Sequence, residues 1–249
     1  MRIVSGVKAT DAFLENGYAK VPGMSSRFAA AICARLIAIQ AKAGITGGLA
    51  EIGAFEGRFF IALMRAMRPA DKGVAIDHFE WPDAQVLDRF KVNCARHGIA
   101  AKRFTAMKAD SRQLWASDIV KAAGGPARFF HVDGEHTPEH LWSDLALAAE
   151  CLDPRGVMVL DDMLHPGYPL LAITVQEFLA ARPEFQVCCV IDREDIVGAA
   201  KFVICRKEHS GFYYKALSKA FKQYHWPMTA DFREYQSMVL TPKPRLAKI

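Results

Sequence analysis

Two strand-like runs in this 249-residue chain end on carboxylates. "FFHVDGEH" carries Asp133 three residues ahead of His136, and "GVMVLDD" closes on Asp161 and Asp162. Carboxylates gathered at the ends of neighbouring buried strands repel one another unless a cation lies among them. Three hard oxygen donors, with water or a bound hydroxyl filling the remaining positions, suit Mg²⁺ or a similar divalent ion. An ion so placed lowers the pKa of a hydroxyl that it holds. His136, whose ring titrates near neutrality, is then a candidate to accept the proton. His165, in "DDMLHPGYP", is the second candidate. The plainer alternative is that these residues only cap helices or shape turns, with Thr137 as the cap beside His136.

Side chains far apart in sequence converge only if a scaffold brings their strands together. The chain supplies one. "SSRFAAAICARLIAIQAKAG" predicts a helix capped by Ser25 or Ser26 and closed by Gly44. From there strands and helices alternate. "GGLAEIGAF", "GVAIDHF", "KRFTAMKADS", "ARFFHVDGEH" and "GVMVLDD" are the strands, and an amphipathic or apolar helical run separates each from the next. This order predicts an α/β fold, a parallel sheet covered on both faces, whose strands need no polar alternation. "FQVCCVI" and "AKFVICRKE" are expected to add an antiparallel pair at the sheet edge, followed by a helix and an irregular, proline-containing tail. In such sheets ligands bind beyond the carboxyl ends of the strands. All five strands place an acid there: Glu51, Asp77, Asp110, Asp133 and the Asp161–Asp162 pair.

The first loop, "EIGAFEGRF", puts Gly53 and Gly57 between a strand and a helix, where glycine lets a ligand approach the backbone. It lacks the three-glycine pattern of a dinucleotide or phosphate loop. Glu51 and Glu56 would repel a phosphate but suit a cationic ligand, and S-adenosylmethionine carries both a sulfonium and an ammonium. Asp77 falls where an acid accepts ribose hydroxyls in related sheets, roughly 20 residues after the glycine turn.

The pattern "LAEIGAFEGRF…AIDHFEWP…VDGEHTPEHLWSDLALAAECLDPRGVMVLDDM…HPGYP" resembles the class I S-adenosylmethionine-dependent methyltransferases. It is most similar to the macrocin and other antibiotic-sugar O-methyltransferases over roughly residues 45–208. The resemblance implies a Rossmann-like, seven-stranded, mostly parallel sheet with an antiparallel last strand. It implies that Glu51, Gly53, Phe55 and Gly57 surround the methionine part of the cofactor, and that Asp77 holds the ribose. His78 and Phe79 would flank the adenosine, Asp110 and Ser111 the adenine edge, with Asp133 close to both cofactor and acceptor. As in the catechol O-methyltransferases, acids at two strand ends (Asp133, Asp161 and Asp162) would hold the divalent metal. The catechol enzymes carry a lysine base where this chain has His136.

The expected activity is therefore metal-dependent O-methylation of a hydroxyl on a small molecule, a sugar or a phenolic natural product. Alternatives are a metal-independent or N-directed methyltransferase, or a cofactor-binding partner protein without catalysis. Three segments are expected: a helical 1–44, the core 45–208 and a basic extension 209–249, the termini building the acceptor site and a homo-oligomer contact. Residues 201–249 hold ten Lys/Arg against three Asp/Glu in a chain of net charge +5, but the basic residues are dispersed, which argues against nucleic-acid binding. No apolar run reaches membrane-spanning length, because Arg35 interrupts the longest. The first residues lack a secretory pattern, and the six cysteines lack metal or disulfide spacing, as expected for a cytoplasmic protein.

Overall fold

The computed structural model describes residues 3–243. Five strands, β1 (Gly48–Ile52), β2 (Gly73–Asp77), β3 (Phe104–Lys108), β4 (Ala127–Val132) and β5 (Leu152–Met163), lie parallel to one another. β1 and β4, at the centre, are buried along their whole length, whereas the outermost strand β3 is only partly covered. Two further strands, β6 (Phe185–Ile191) and β7 (Ala200–Arg206), form the expected antiparallel pair. β7 inserts between β5 and β6, so the first seven strands run β3-β2-β1-β4-β5-β7-β6 with β7 alone reversed.

Helices cover both faces. One face packs under α1 (Lys8–Asn16), α2 (Arg27–Lys42), α3 (Arg58–Met64), α4 (Val86–Arg96) and α8 (Lys207–Ala220). The other packs under α5 (Ala116–Ala123), α6 (Pro138–Cys151) and α7 (Pro169–Ala181). Ser26 caps α2 by accepting from the Ala29 amide at 3.0 Å. Thr137 caps α6, whose first residue is Pro138, so the capping role considered for Thr137 is real and coexists with a site at His136.

The tail differs from expectation. After α8 the chain forms two more strands, β8 (Ala230–Phe232) and β9 (Tyr235–Leu240), and β9 pairs in parallel with β6. Among the described residues the sheet therefore has nine strands, and the β6–β7 pair is not its edge. Short β-branched and aromatic runs between charged residues hid these strands. Tyr213, Leu217, Phe221, Met238 and Leu240 join the same core as α2 and α3, and position 208/209 falls inside α8. Deleting such side chains from a core costs on the order of 2–5 kcal/mol each. The last segment is thus structural, whatever else it does. No helix among the described residues is long and apolar enough to cross a membrane.

Candidate active site

One irregularity in the sheet aims the acids. Leu160 of β5 is opposite Phe202 of β7, but the next pair is Met163 with Ala200. Asp161 and Asp162 therefore share the stretch facing Lys201, and this bulge sends the two neighbouring carboxylates to different places. Asp162 sits at φ 57°, one of four non-glycine residues with positive φ among the described residues. The others are Phe55, Phe79 and Leu164, all just beyond strand ends. Strained backbone gathered at one end of a sheet marks a site whose surroundings hold it in place.

Beneath the bulge lies a polar network that the sequence reading did not include. Glu51 is in register with His131, and His131 Nδ1 donates to Glu51 Oε1 at 2.8 Å. The Lys201 ammonium approaches His131 Nε2 at 3.2 Å, donates to Ser25 Oγ at 3.3 Å and pairs with Asp161. Because Nε2 faces an ammonium it must accept, which leaves the ring proton on Nδ1. Ser25 Oγ donates to Asp161 Oδ2 at 2.9 Å, and the ammonium also lies 4.6 Å from the centre of the Phe59 ring. Lys201 and His131 are fully buried. Burial pushes the Asp161 carboxyl up, but the lysine and His131 outweigh it and bring it down to about 2. Burial pulls the Lys201 ammonium down, and Asp161 and Asp133 more than restore it, so it is held above its ordinary value. Burial and then Lys201 push His131 well below its ordinary value, so its ring is neutral.

The cation that an acid cluster needs is thus partly supplied by the chain itself. Asp161, expected as a metal ligand, already has a positive partner. Asp133 has none of comparable strength. Burial first and Asp161 second raise its carboxyl well above the usual range. Its oxygens, the His136 ring and the Asp162 carboxylate offer donor atoms within 4.8 Å of one another; His131, Asp133 and Asp161 form a second such group, beside the lysine. His136 Nε2 is 2.6 Å from Asp162 Oδ2, and that bond raises the imidazole above its ordinary pKa. Tyr168 stacks on His136 with ring centres 4.2 Å apart and on His165 at 4.7 Å, so three aromatic rings stand in one column.

These groups form one wall of a cavity of about 660 Å³, within the range of small-molecule and cofactor sites. Gly53, Phe55, Asp77, His78, Asp110 and Ser111 line the same cavity, together with Asp133, Asp161, Asp162, His136 and His165. Asp77 is held by the amides of Phe55 (2.8 Å) and Phe79 (2.6 Å), which fix the loops after β1 and β2 around it. Asp110 is clamped by Arg112, which lowers its carboxyl.

Three expected cofactor residues lie outside this wall. Glu51 is turned into the network below, Gly57 is the N-cap before α3 and lies against Phe90, and Phe79 is fully buried. Gly53 lines the cavity, but the space it keeps open belongs to the protein. A Cβ there would lie 1.7 Å from the Asp133 carbonyl oxygen, so its substitution would separate the ends of β1 and β4. The sequence reading also missed Met24, Trp81, Tyr168 and Val197 in the cavity wall.

Residues 50–163, which run from within β1 to the end of β5 and contain every acid named above, match a family model described as a methyltransferase domain. Over that stretch the chain is similar to methyltransferase domains. No curated protein matches the chain by sequence. Among solved structures it resembles an O-methyltransferase from Bacillus cereus in complex with SAH, at 16% identity over 80% of this chain and 91% of the other, TM-score 0.58. It also resembles TomG from Streptomyces achromogenes, an O-methyltransferase involved in tomaymycin synthesis, in complex with SAM (21% identity, 83% and 91% coverage, TM-score 0.52). The SAH-bound methyltransferase PaMTH1 of Podospora anserina is similar at 15% identity, with 80% and 88% coverage and a TM-score of 0.54. At these identities the likeness concerns the fold.

Proposed function

We propose that the chain binds S-adenosylmethionine in the 660 Å³ cavity, ribose toward Asp77, and methylates a hydroxyl of a small molecule beside Asp133. The observation that carries the reading is the position of the Asp133–His136–Asp162 trio in the same cavity as Asp77. The acceptor oxygen attacks the sulfonium methyl, the carbon–sulfur bond breaks, and S-adenosylhomocysteine leaves. The hydroxyl proton must go to a base; the histidines in the wall are His78, His136, His140 and His165, and His136 is the one whose ring lies beside Asp133.

A divalent cation fits the trio, because Asp133 lacks the ion pair that Asp161 has. Asp133, Asp162 and His136 would hold it, and when bound it would lower the pKa of the acceptor hydroxyl. With the His136 ring among the donors, the proton would pass to another base in the wall, His140 or His165. The two carboxylates suit Mg²⁺ or Mn²⁺, and the imidazole would also admit a metal such as Fe²⁺ or Zn²⁺. A second reading, without metal, rests on the 2.6 Å His136–Asp162 bond. Asp162 would hold Nε2–H, and Nδ1 of His136 would take the proton, in the manner of a carboxylate-oriented histidine base.

Methyl transfer from labelled S-adenosylmethionine to a panel of phenols and sugars, with EDTA and then Mn²⁺ or Mg²⁺ added back, separates the readings. Loss and restoration of turnover support the metal. Full turnover in excess chelator overturns it and leaves the His136–Asp162 pair. Tight cofactor binding without turnover of any acceptor would make the protein a non-catalytic partner. A homo-oligomeric, cytoplasmic protein acting on small molecules alone, without nucleic-acid or membrane partners, is part of the same proposal.

A further inference from the structure

A second cavity, of about 850 Å³, lies where α7 faces the outer strands, and no role has been assigned to it. Its walls come mainly from outside the matched methyltransferase stretch: Ile173 of α7, Phe202 of β7, Trp226, Phe232 of β8 and Val239 of β9. The two added strands therefore do more than lengthen the sheet. Their inner face turns aromatic and aliphatic side chains toward α7.

Two stretches of chain contribute to both cavities. Leu164 lines the second, while Asp162 and His165, on either side of Leu164 in sequence, line the cofactor cavity. The following segment does the same: Asp192, Arg193 and Glu194 face the second cavity and Val197 the first. Leu164 is 54% exposed and has φ 62°, so a large apolar side chain is held in the wall of the second cavity by backbone that such residues rarely adopt. A fold saving strain would not do this without a use for it.

The wall chemistry limits the ligand. The charged lining is mixed in sign, Asp192, Glu194 and Asp231 with Arg193 and Lys243, and partly committed: Asp192 accepts from the Thr241 hydroxyl at 2.9 Å and Glu194 from the Phe28 amide at 3.2 Å. The larger share of the wall is apolar, three aromatic rings with aliphatic neighbours, which suits a flat, uncharged aryl group.

We propose that the second cavity receives the aryl body of the methyl acceptor, whose reacting hydroxyl passes Leu164 to reach Asp133. This inference rests on the methyltransferase reading above and names its substrate class: large aryl alcohols or phenols.

The test uses the full chain and the neutral fluorophore N-phenyl-1-naphthylamine. One saturable site is expected, and S-adenosylhomocysteine should leave it occupied. Ala172→Trp, which fills the cavity from α7, and Thr229→Trp, in an exposed position and therefore safe for folding, should each weaken the fluorophore at least tenfold. Binding of S-adenosylhomocysteine by calorimetry should change less than twofold. With acceptors, both variants should raise KM for aryl substrates without lowering kcat to match. Displacement of the fluorophore by S-adenosylhomocysteine, or unchanged affinity in Thr229→Trp, would overturn the assignment. Turnover confined to free sugars and insensitive to both variants would also overturn it. Failure of the parent to bind S-adenosylhomocysteine would instead refute the cofactor reading, a separate result.

Discussion

Replacing Lys201 with Met tests the buried network from which the site is built. The substitution keeps the length of the side chain and removes its charge. Asp161, whose carboxyl is 7% exposed, would lose its ion pair and keep only Ser25 Oγ and its own local contacts. Breaking a buried pair by removing one partner typically costs about 3–5 kcal/mol. That is a large share of the roughly 5–15 kcal/mol that holds a domain together. At about 2–4 °C per kcal/mol for a chain of this size, the melting temperature should fall by roughly 6–20 °C. Urea denaturation followed by circular dichroism at pH 7 measures the loss directly. Asp161→Asn combined with Lys201→Met should restore much of it, because the orphaned charge is gone. The pH dependence has a definite sign. Asp161 is depressed to about 2 in the folded protein, below the ordinary carboxylate value, so its contribution is complete above roughly pH 4 and is lost as the pH falls toward 2. The gap between parent and Lys201→Met should therefore narrow in that window. A loss under 1 kcal/mol at pH 7, or a double variant no better than Lys201→Met alone, would refute the claim that the lysine neutralises this acid.

Asp77→Ala should weaken S-adenosylhomocysteine binding by roughly 1.5–3 kcal/mol, the range for hydrogen bonds to a charged group, as read by calorimetry. Burial raises the Asp144 carboxyl to about 6, so the folded protein is penalised as the pH rises through that value. Asp144→Asn should accordingly gain on the order of 1–3 kcal/mol at pH 8 and almost nothing at pH 4, by urea denaturation at the two pH values. Deleting residues 209–249 removes Tyr213, Leu217, Met238 and Leu240 from the core, so cooperative melting and cofactor binding should disappear together. Intact cofactor binding in that deletion would show that the tail is dispensable to the fold.

Much of the scaffold was legible because the parallel core obeys simple periodicities. Continuous apolar strands, glycine turns and helix caps at Ser26 and Thr137 each leave a local mark. The strand-end acids were legible as a group for the same reason. Their individual fates were not, because these depend on register. Glu51, His131 and Lys201 sit inside strands on one face, and a lone polar residue in "GLAEI", "ARFFHV" or "AKFVICR" looks like a tolerated exception until the strands are laid side by side. The bulge that separates Asp161 from Asp162 has no signature of its own in "VLDDM", since both residues also read as an ordinary strand end. The added strands β8 and β9 were missed because three- and six-residue strands amid Arg, Glu and Gln resemble a loop. A cue was available for Lys201: a lysine flanked by Ala and Phe in an otherwise apolar run needs a buried partner.

The most direct test of the account is a crystal structure of the full chain with S-adenosylhomocysteine. The ligand should occupy the cavity lined by Gly53, Asp77 and Asp133, with its ribose hydroxyls within hydrogen-bonding distance of Asp77 and its sulfur directed toward Asp133. Ligand density elsewhere on the molecule, or a ribose out of reach of Asp77, would contradict it.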